Sequence, residues 1–367
     1  MAEQQTAVEM RQQKQVKVYN DEMQRQGVID VYRSLIWTRK YFEAGTVELH
    51  AALNSRNLEL LKEGNIVAMT GSVEAAFLEG IAANDYSNEI TATGRMLSSG
   101  IARRGIKTVV VFKEGTYEEA MRQLVEVAAI TSEDPLPNLQ LAEAQGLGDT
   151  VTFQVSYKDC YTYLTKLSRC SNLGFRIRPD FKNKIYYFEV YKGKDRTKNQ
   201  SQNKRATFSE VYRNLNKVTY TSNSQNYKTH AVVFGEGEGT ARTTMTATVD
   251  PTAAGWQRRE VMVDARDISS DGLTAAQYQQ ALIQRGNEKL AEFGIVECLE
   301  AATLPFVNFA YKTDYDLGDI VTVEKKAWSI KMDKRITEIQ EIYENGGFSI
   351  VPTFGSPLPE SVDLSDN

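Results

Sequence analysis

Among the residues able to do chemistry, two groups of carboxylates come first: Asp264 with Asp267, and Asp314 with Asp316 and Asp319. A pair of carboxylates hydrolyses a glycoside when one is kept protonated and the other ionised. The rings of Tyr186, Tyr187, Phe188 and Tyr191 would suit that reaction by lining a sugar-binding face. Each feature also has a plainer account, and that account is preferred. Asp is a normal turn residue in β-proteins. Rings on both alternating faces of a strand are what sheet packing produces. The two histidines, His50 and His230, lie far apart in sequence, each within a strand-like run. Zinc needs three or four ligands at short spacings, and no HExxH or CxxC is present. No G-x-S-x-G motif offers a nucleophile for a histidine to activate. Both histidines therefore read as ordinary surface or partly buried side chains.

GEGEG, Gly235–Gly239, is the one glycine-rich run. A phosphate loop requires such glycines between a strand and a helix, with Lys-Ser/Thr at the helix start. Here the run leads into TARTTMTATV, a strand pattern, so it reads as a loop between strands. Glu236 and Glu238 are its candidates for touching a cation. Cys160, Cys170 and Cys298 are an odd set without tight spacing. Cys160 and Cys170 belong in one helix, too far apart along its axis to bond, and all three read as small core residues. The sequence thus predicts no catalytic residue, no cofactor-binding residue, no metal ligand and no cofactor.

Charge narrows the partners. Net charge is −5, and only Arg103-Arg104 and the stretch Lys192–Arg205 look basic. Gripping phosphates needs clustered Lys and Arg, so sequence-specific nucleic-acid binding is not expected. Met1 to Lys14 is polar and Gln-rich, without an apolar signal core, and no run approaches the ~18 apolar residues of a membrane span. Synthesis and folding in cytoplasm, with no membrane anchor, is the expectation.

The elements that must position these residues are β-rich. From Val16 to about residue 115, short runs of Val, Ile, Tyr, Trp and Thr alternate with Gly, Asn and Asp turns, the pattern of a small barrel or sandwich. Thr116-Tyr117-Glu118-Glu119 is a capping box. Tyr117, Ala120, Met121, Leu124 and Ala128 then recur at helical spacing, and the helix stops before Pro135. Ser156-Tyr157-Lys158-Asp159 opens a second helix with the face Tyr157, Cys160, Tyr161, Leu164 and Leu167, and Gly174 as its C-cap. A hairpin follows, turning at Lys182-Asn183-Lys184. Residues 192–206 have almost no apolar side chains and are predicted to be an exposed loop or linker, mobile or in contact with a neighbouring subunit. A third helix spans Thr274–Gly294, with a second capping box at Thr274–Gln277, and strands return to Gly355. The polar start 1–15 lies outside the core, and the acidic tail 356–367 is expected to be disordered. An echo joins two distant segments: LKEGNIV at Leu61–Val67 and YDLGDIV at Tyr315–Val321. It predicts that Gly64–Gly94 and Gly318–Gly355 fold alike.

From Ile29 onward the chain resembles the tail-hub proteins of siphophages and prophages, relatives of the N-terminal hub of tail-associated lysins and of contractile-tail baseplate hubs. The phrases that carry the resemblance are SLIWTRKYFEAGTVELH at Ser34–His50, LLKEGNIV at Leu60–Val67 and TGRMLSSGIARR at Thr93–Arg104. They continue through YEEAMRQLV, LSRCSNLGFRIRPDF, FEVYKGKDRT, GEGEGTAR and RREVMVDARDIS to DYDLGDIVTV with RITEI. Together they cover residues 20–355 in one order. The resemblance implies an α+β, β-rich fold: two tail-tube-like β-barrels with mixed α+β domains inserted between them. The first barrel would be 16–115 and the α+β domain 116–206. A second β-rich part, 207–300 with helix 274–294, would be completed as a second barrel by the strands of 301–355. It also implies a non-enzymatic virion protein of the tail tip. That protein would form a homotrimeric ring joining a sixfold tail tube or distal-tail ring to a threefold spike or fibre, with a tape-measure protein in the lumen. The rival readings are a tail-tip cell-wall glycosidase and a carbohydrate receptor-binding module. Many tail-tip proteins continue into a long C-terminal enzymatic region; this chain stops near Gly355, which weighs against the glycosidase.

Overall fold

The computed structural model describes residues 14–302, 309–344 and 347–356. The polar start and the acidic tail, read above as outside the core, lie almost wholly outside the described residues. The described residues form two compact units, one within 14–192, 228–293 and 341–348, the other within 193–227, 294–340 and 349–356.

In the first unit, β1 (Val16–Tyr19), β2 (Arg25–Ile29), β3 (Ser34–Lys40), β4 (Thr46–Ala52), β5 (Ile66–Met69), β6 (Ala76–Asn84) and β7 (Glu89–Met96) form an antiparallel sheet. Its order is β3-β4-β7-β6-β5-β1-β2, with the short helix α1 (Ser55–Leu60) between β4 and β5. Alternation sets its faces. Val47, Leu49 and Ala51 of β4 are buried against Val16, Leu35, Trp37 and Ile90, while Glu48 and His50 point the other way.

The chain continues through β8 (Gly105–Thr116), α2 (Tyr117–Val125), β9 (Leu139–Leu141), β10 (Thr150–Asp159), α3 (Cys160–Ser171), β11 (Gly174–Asp180) and β12 (Ile185–Tyr191). The capping box at Thr116 forms as predicted: its Oγ1 accepts from Glu119 N, and the Glu119 carboxylate accepts from Thr116 N at 2.8 Å. Ala120, Met121 and Leu124 are fully buried with Phe153, Cys160, Leu164, Leu167, Phe175 and Phe188. The second helix starts later than expected. Strand β10 runs to Asp159, bulged so that Tyr157 sits at φ 53° and is exposed; the Asp159 carboxylate caps α3 by accepting from Thr162 N at 2.7 Å. The helix ends on Asn172 in the left-handed region, φ 56°, and Gly174 opens β11 instead. Asn tolerates that conformation because its short polar side chain bonds locally.

The chain then enters the second unit with β13 (Thr207–Ser209) and β14 (Asn216–Asn223) and returns to the first with β15 (His230–Phe234), β16 (Thr244–Thr248), β17 (Glu260–Asp264) and α4 (Ala275–Glu292). The Thr274 capping box forms, and α4 buries Tyr278, Ala281, Leu282 and Leu290 against Ala231, Val233, Ala247 and Val263. β18 (Val296–Ala302), β19 (Ile320–Lys325), β20 (Ile330–Glu344) and β21 (Gly347–Gly355) complete the second unit, except that residues 341–348 of the last hairpin belong to the first. Phe208 lies 5.1 Å from Tyr315 and 5.0 Å from Phe354, ring centre to ring centre, and pairs across the ladder with the buried Val323.

Residues 192–206 are not the mobile loop expected from their composition. Asp195 bridges Ile320, Arg196 N donates to Ile320 O at 2.8 Å, and Arg196 and Thr197 are buried. Polar side chains do not fill an apolar core, but here they are satisfied by a neighbouring strand and its carboxylates, so the segment orders.

The predicted echo has a structural counterpart. Second-unit strands run in the order β14-β18-β21-β20-β19, matching β3-β4-β7-β6-β5 of the first. Corresponding neighbours are antiparallel in both where the register is defined. Gly64 N donates to Leu78 O at 2.9 Å and Leu78 N returns to Asn65 O at 2.8 Å; Gly318 N donates to Ile336 O at 2.8 Å and Ile336 N returns to Asp319 O at 2.8 Å. Gly64 and Gly318 adopt φ 85° and 89°, a region only Gly enters freely. Neither run of strands closes on itself: β2 ends the first, β14 and β13 end the second, and β3 is no free edge because it pairs with β20.

Candidate functional site

The carboxylates that could hydrolyse a glycoside are each committed to another partner. Asp264, at the end of β17, accepts from Arg266 at 2.6 Å and Arg242 at 2.7 Å. These two guanidiniums hold its carboxyl well below the usual range. Asp267 takes a two-pronged bond from Arg285 at 3.0 and 3.1 Å. In the second unit, Asp319 accepts from Arg196 at 2.6 Å and Lys194 N at 2.7 Å. Asp314 accepts from Lys204 at 2.6 Å; burial would raise its pKa, but the Ala310 N–H and Lys204 bring it below the ordinary value. Asp316 caps its own turn at Leu317 N, 2.7 Å. A general acid must hold its proton near neutral pH, and the neighbours of Asp264 and Asp314 favour the ionised form.

His50 is clasped in the plane of the β4–β7 face: Nε2 to Glu48 at 2.7 Å, and Nδ1 to Glu89 and Thr91 at 3.2 Å each. Burial works to lower its pKa; the bonds to Glu48 and Glu89 outweigh this and raise it. The two carboxylates sit on opposite ring nitrogens, which suits an ion-paired imidazolium. His230 is buried, its Nδ1 at 2.9 Å from the hydroxyl of its own neighbour Thr229.

GEGEG joins β15 to β16 and is tied down. Glu236 accepts from the Ser269 and Ser270 hydroxyls at 3.0 and 2.6 Å and from Ser270 N at 3.1 Å, which lowers its pKa. Its own N–H donates to the Tyr278 hydroxyl at 2.8 Å. That hydroxyl would lie 2.3 Å from a Cβ at Gly235, so only glycine fits there. Among the described residues, no group of three or more His, Cys, Asp or Glu is placed to hold a metal, and no helix is long and apolar enough to cross a membrane.

The aromatic run on β12 is divided. Phe188 is buried beside Phe175, while Arg176 and Arg178 lie over the Tyr191 and Tyr187 rings at 4.5 and 4.8 Å. A concavity of about 280 Å³ is walled by Glu43, Tyr161, Lys166, Arg169, Glu288 and Glu292. Its charges are paired within the wall, Lys166 with Glu292 at 2.9 Å and Arg169 with Glu43 at 3.1 Å.

One polar constellation escaped the sequence reading. Beneath α4, the Tyr117 hydroxyl donates to Gln284 at 2.8 Å, Gln284 to Glu288 at 3.3 Å, and the Tyr163 hydroxyl to Glu288 at 2.8 Å. Burial raises the Glu288 pKa, against Arg285, whose Nε lies 3.7 Å away. Gln284 and Glu288 stand four apart on the buried side of α4, a spacing visible in the sequence. The chain of hydrogen bonds locks α4 to α2 and α3. A second buried pair, Arg39 with Glu74 at 2.7 Å, is equally enclosed.

Surface features contrast with this interior. Large apolar side chains stand out at turns, among them Tyr86, Trp256 and Trp328. What the described residues offer is a frame of sheets with projecting turns.

Comparison with known proteins agrees with that frame. The curated proteins contain no match. The tail protein from Neisseria meningitidis MC58 has a TM-score of 0.58 at 14% identity, covering 93% of this chain and 96% of that one. The 43 kDa tail protein of prophage MuSo2 from Shewanella oneidensis gives 0.57 at 9%, covering 94% and 98%. Prophage tail protein gp18 from Listeria monocytogenes EGD-e gives 0.53 at 12%, covering 92% and 94%. Likenesses this remote show a shared fold. A family model described as Siphovirus ReqiPepy6 Gp37-like protein matches residues 15–356. Because that match takes in nearly the whole chain, the chain belongs to the family of Siphovirus ReqiPepy6 Gp37-like proteins.

Proposed function

We propose that this chain is a structural hub subunit of a bacteriophage tail tip, assembling as a homotrimeric ring that adapts a sixfold tail tube to a threefold tip. The observation that carries the reading is the internal repeat. Each chain holds two runs of strands sharing one five-strand order, so three chains would offer six alike surfaces to a sixfold ring while keeping threefold symmetry on the other side. The sheets around residues 16–115 and 301–355 act as tube-like modules, and their open edges close into barrel walls on assembly. The committed carboxylates and the clasped His50 support a role without catalysis. Likeness in fold to proteins described as tail proteins supports a virion location. Its partners on this reading are a tube or distal-tail ring, spike or fibre proteins, and a tape-measure protein in the lumen. Assembly takes place in the host cytoplasm, and the subunit serves attachment and DNA ejection. A reconstruction of the tail with this subunit labelled tests the reading. Three copies in one ring is the expected result; six copies, or one, would overturn it. Clearing of purified cell wall by the isolated chain would overturn the non-enzymatic part.

A further inference from the structure

An aromatic and basic patch stands on the second unit. Trp328 lies on the turn Lys326–Trp328 between β19 and β20 and is 49% exposed; Val211 and Tyr212, on the loop after β13, are 57% and 49% exposed. One side chain brings the two segments together: the Lys325 ammonium pairs with Glu210 and also lies over the Trp328 ring, 5.2 Å from its centre. Both turns pass through the left-handed region at a residue other than glycine, Arg213 at φ 55° and Ser329 at φ 54°. Their shape is held by the surrounding bonds and not by intrinsic preference.

The sign of the patch opposes that of the chain. Arg213, Lys325, Lys326 and Lys331 lie on the same two loops or the strands that flank them; Glu210 and Glu324, also on these segments, are each paired with a lysine. The chain as a whole carries −5. Trp, Tyr and Arg are the side chains that dominate protein–protein contacts, with charged residues ranged at the rim. An aliphatic Val beside them adds nothing to a grip on nucleic acid, which depends on many phosphate contacts. We propose that Val211, Tyr212 and Trp328 are the docking surface for a protein partner whose facing surface is acidic and offers an apolar recess to the Trp328 ring. The partner is a different tail protein, so the proposal rests on the tail reading above.

The test places a photo-crosslinking p-benzoylphenylalanine at position 328, and separately at position 212, in assembled phage particles. Expected from both positions is an adduct to a different virion protein at a segment rich in Asp and Glu. Adding Lys325→Glu and Lys326→Glu should cut the adduct yield roughly fivefold or more, because charge complementarity steers such encounters. An adduct to nucleic acid or to a second copy of this chain overturns the proposal. So does the absence of any adduct in particles that mass spectrometry shows to contain the chain. If the particles lack the chain, the tail reading falls and the proposal with it.

Discussion

His50 shows how a residue that could do chemistry is put to structural use. Its ring is held between Glu48 and Glu89, and Arg33 backs Glu89 at 2.8 Å. Because its native pKa is raised, the imidazolium contributes stability that is fully present below the ordinary value near 6.5. That contribution is lost as pH rises through the native value. His50→Gln is therefore expected to lower the melting temperature most near pH 6, with the gap to wild type narrowing by pH 9. A gap independent of pH would contradict this. The buried Arg196–Asp319 pair makes a stronger demand, since removing one partner leaves the other charge uncompensated. Arg196→Ala should cost roughly 3–5 kcal/mol by denaturant titration; less than about 1 kcal/mol would mean that residues 192–206 do not hold the place described.

At the scale of elements, the paired meanders make a quantitative claim. Gly64 and Gly318 occupy the same turn position at nearly the same φ, and a Cβ at Gly64 would meet nothing within 4 Å. Gly64→Ala should thus cost about 1 kcal/mol from backbone strain alone. Gly318→Ala should cost a similar amount if the two turns are equivalent, read from urea midpoints. Helix α4 makes a different claim. Burial raises the Glu288 pKa, so the protonated carboxyl is the form the network prefers. Its contribution is present below about pH 4.5 and is lost as pH rises toward the native value. Glu288→Gln keeps the hydrogen bonds without the charge, so its stability relative to wild type should improve between pH 5 and pH 8. A constant difference over that range would place the charge cost elsewhere.

For the whole molecule, the two units interleave along the chain: the first is interrupted by the second at residue 193 and again at residue 294. The segment 228–293 is an excursion between β14 and β18; β3 and β4, their counterparts in the first unit, are joined by a short turn. A duplicated sheet with an insertion in one copy accounts for both the matched strand orders and the unequal lengths. Limited proteolysis is expected to spare residues 192–206, whose backbone and carboxylate bonds order them. Early cutting there would argue against their placement.

Much of this was legible in the residues. Alternating Val, Leu and Ala on β4, the capping boxes at Thr116 and Thr274, the hairpin at 182–184, and the Gly-Asn and Gly-Asp turns all carry their meaning locally, because period, cap and left-handed turn are short-range physics. The start of α3 was misread because Ser156–Asp159 satisfies a helix N-terminus by composition, while pairing with β8 keeps it a strand to its last residue. The segment 192–206 was misread because low hydrophobicity excludes a core but does not exclude order, and the carboxylate that orders Arg196 lies 123 positions away. The same holds for the candidate acids. The sequence determined that Asp264 and Asp314 were present; only the tertiary structure decided how firmly they stay ionised, by setting Arg242 and Lys204 beside them, since a pKa answers to charges close in space, however distant in the chain.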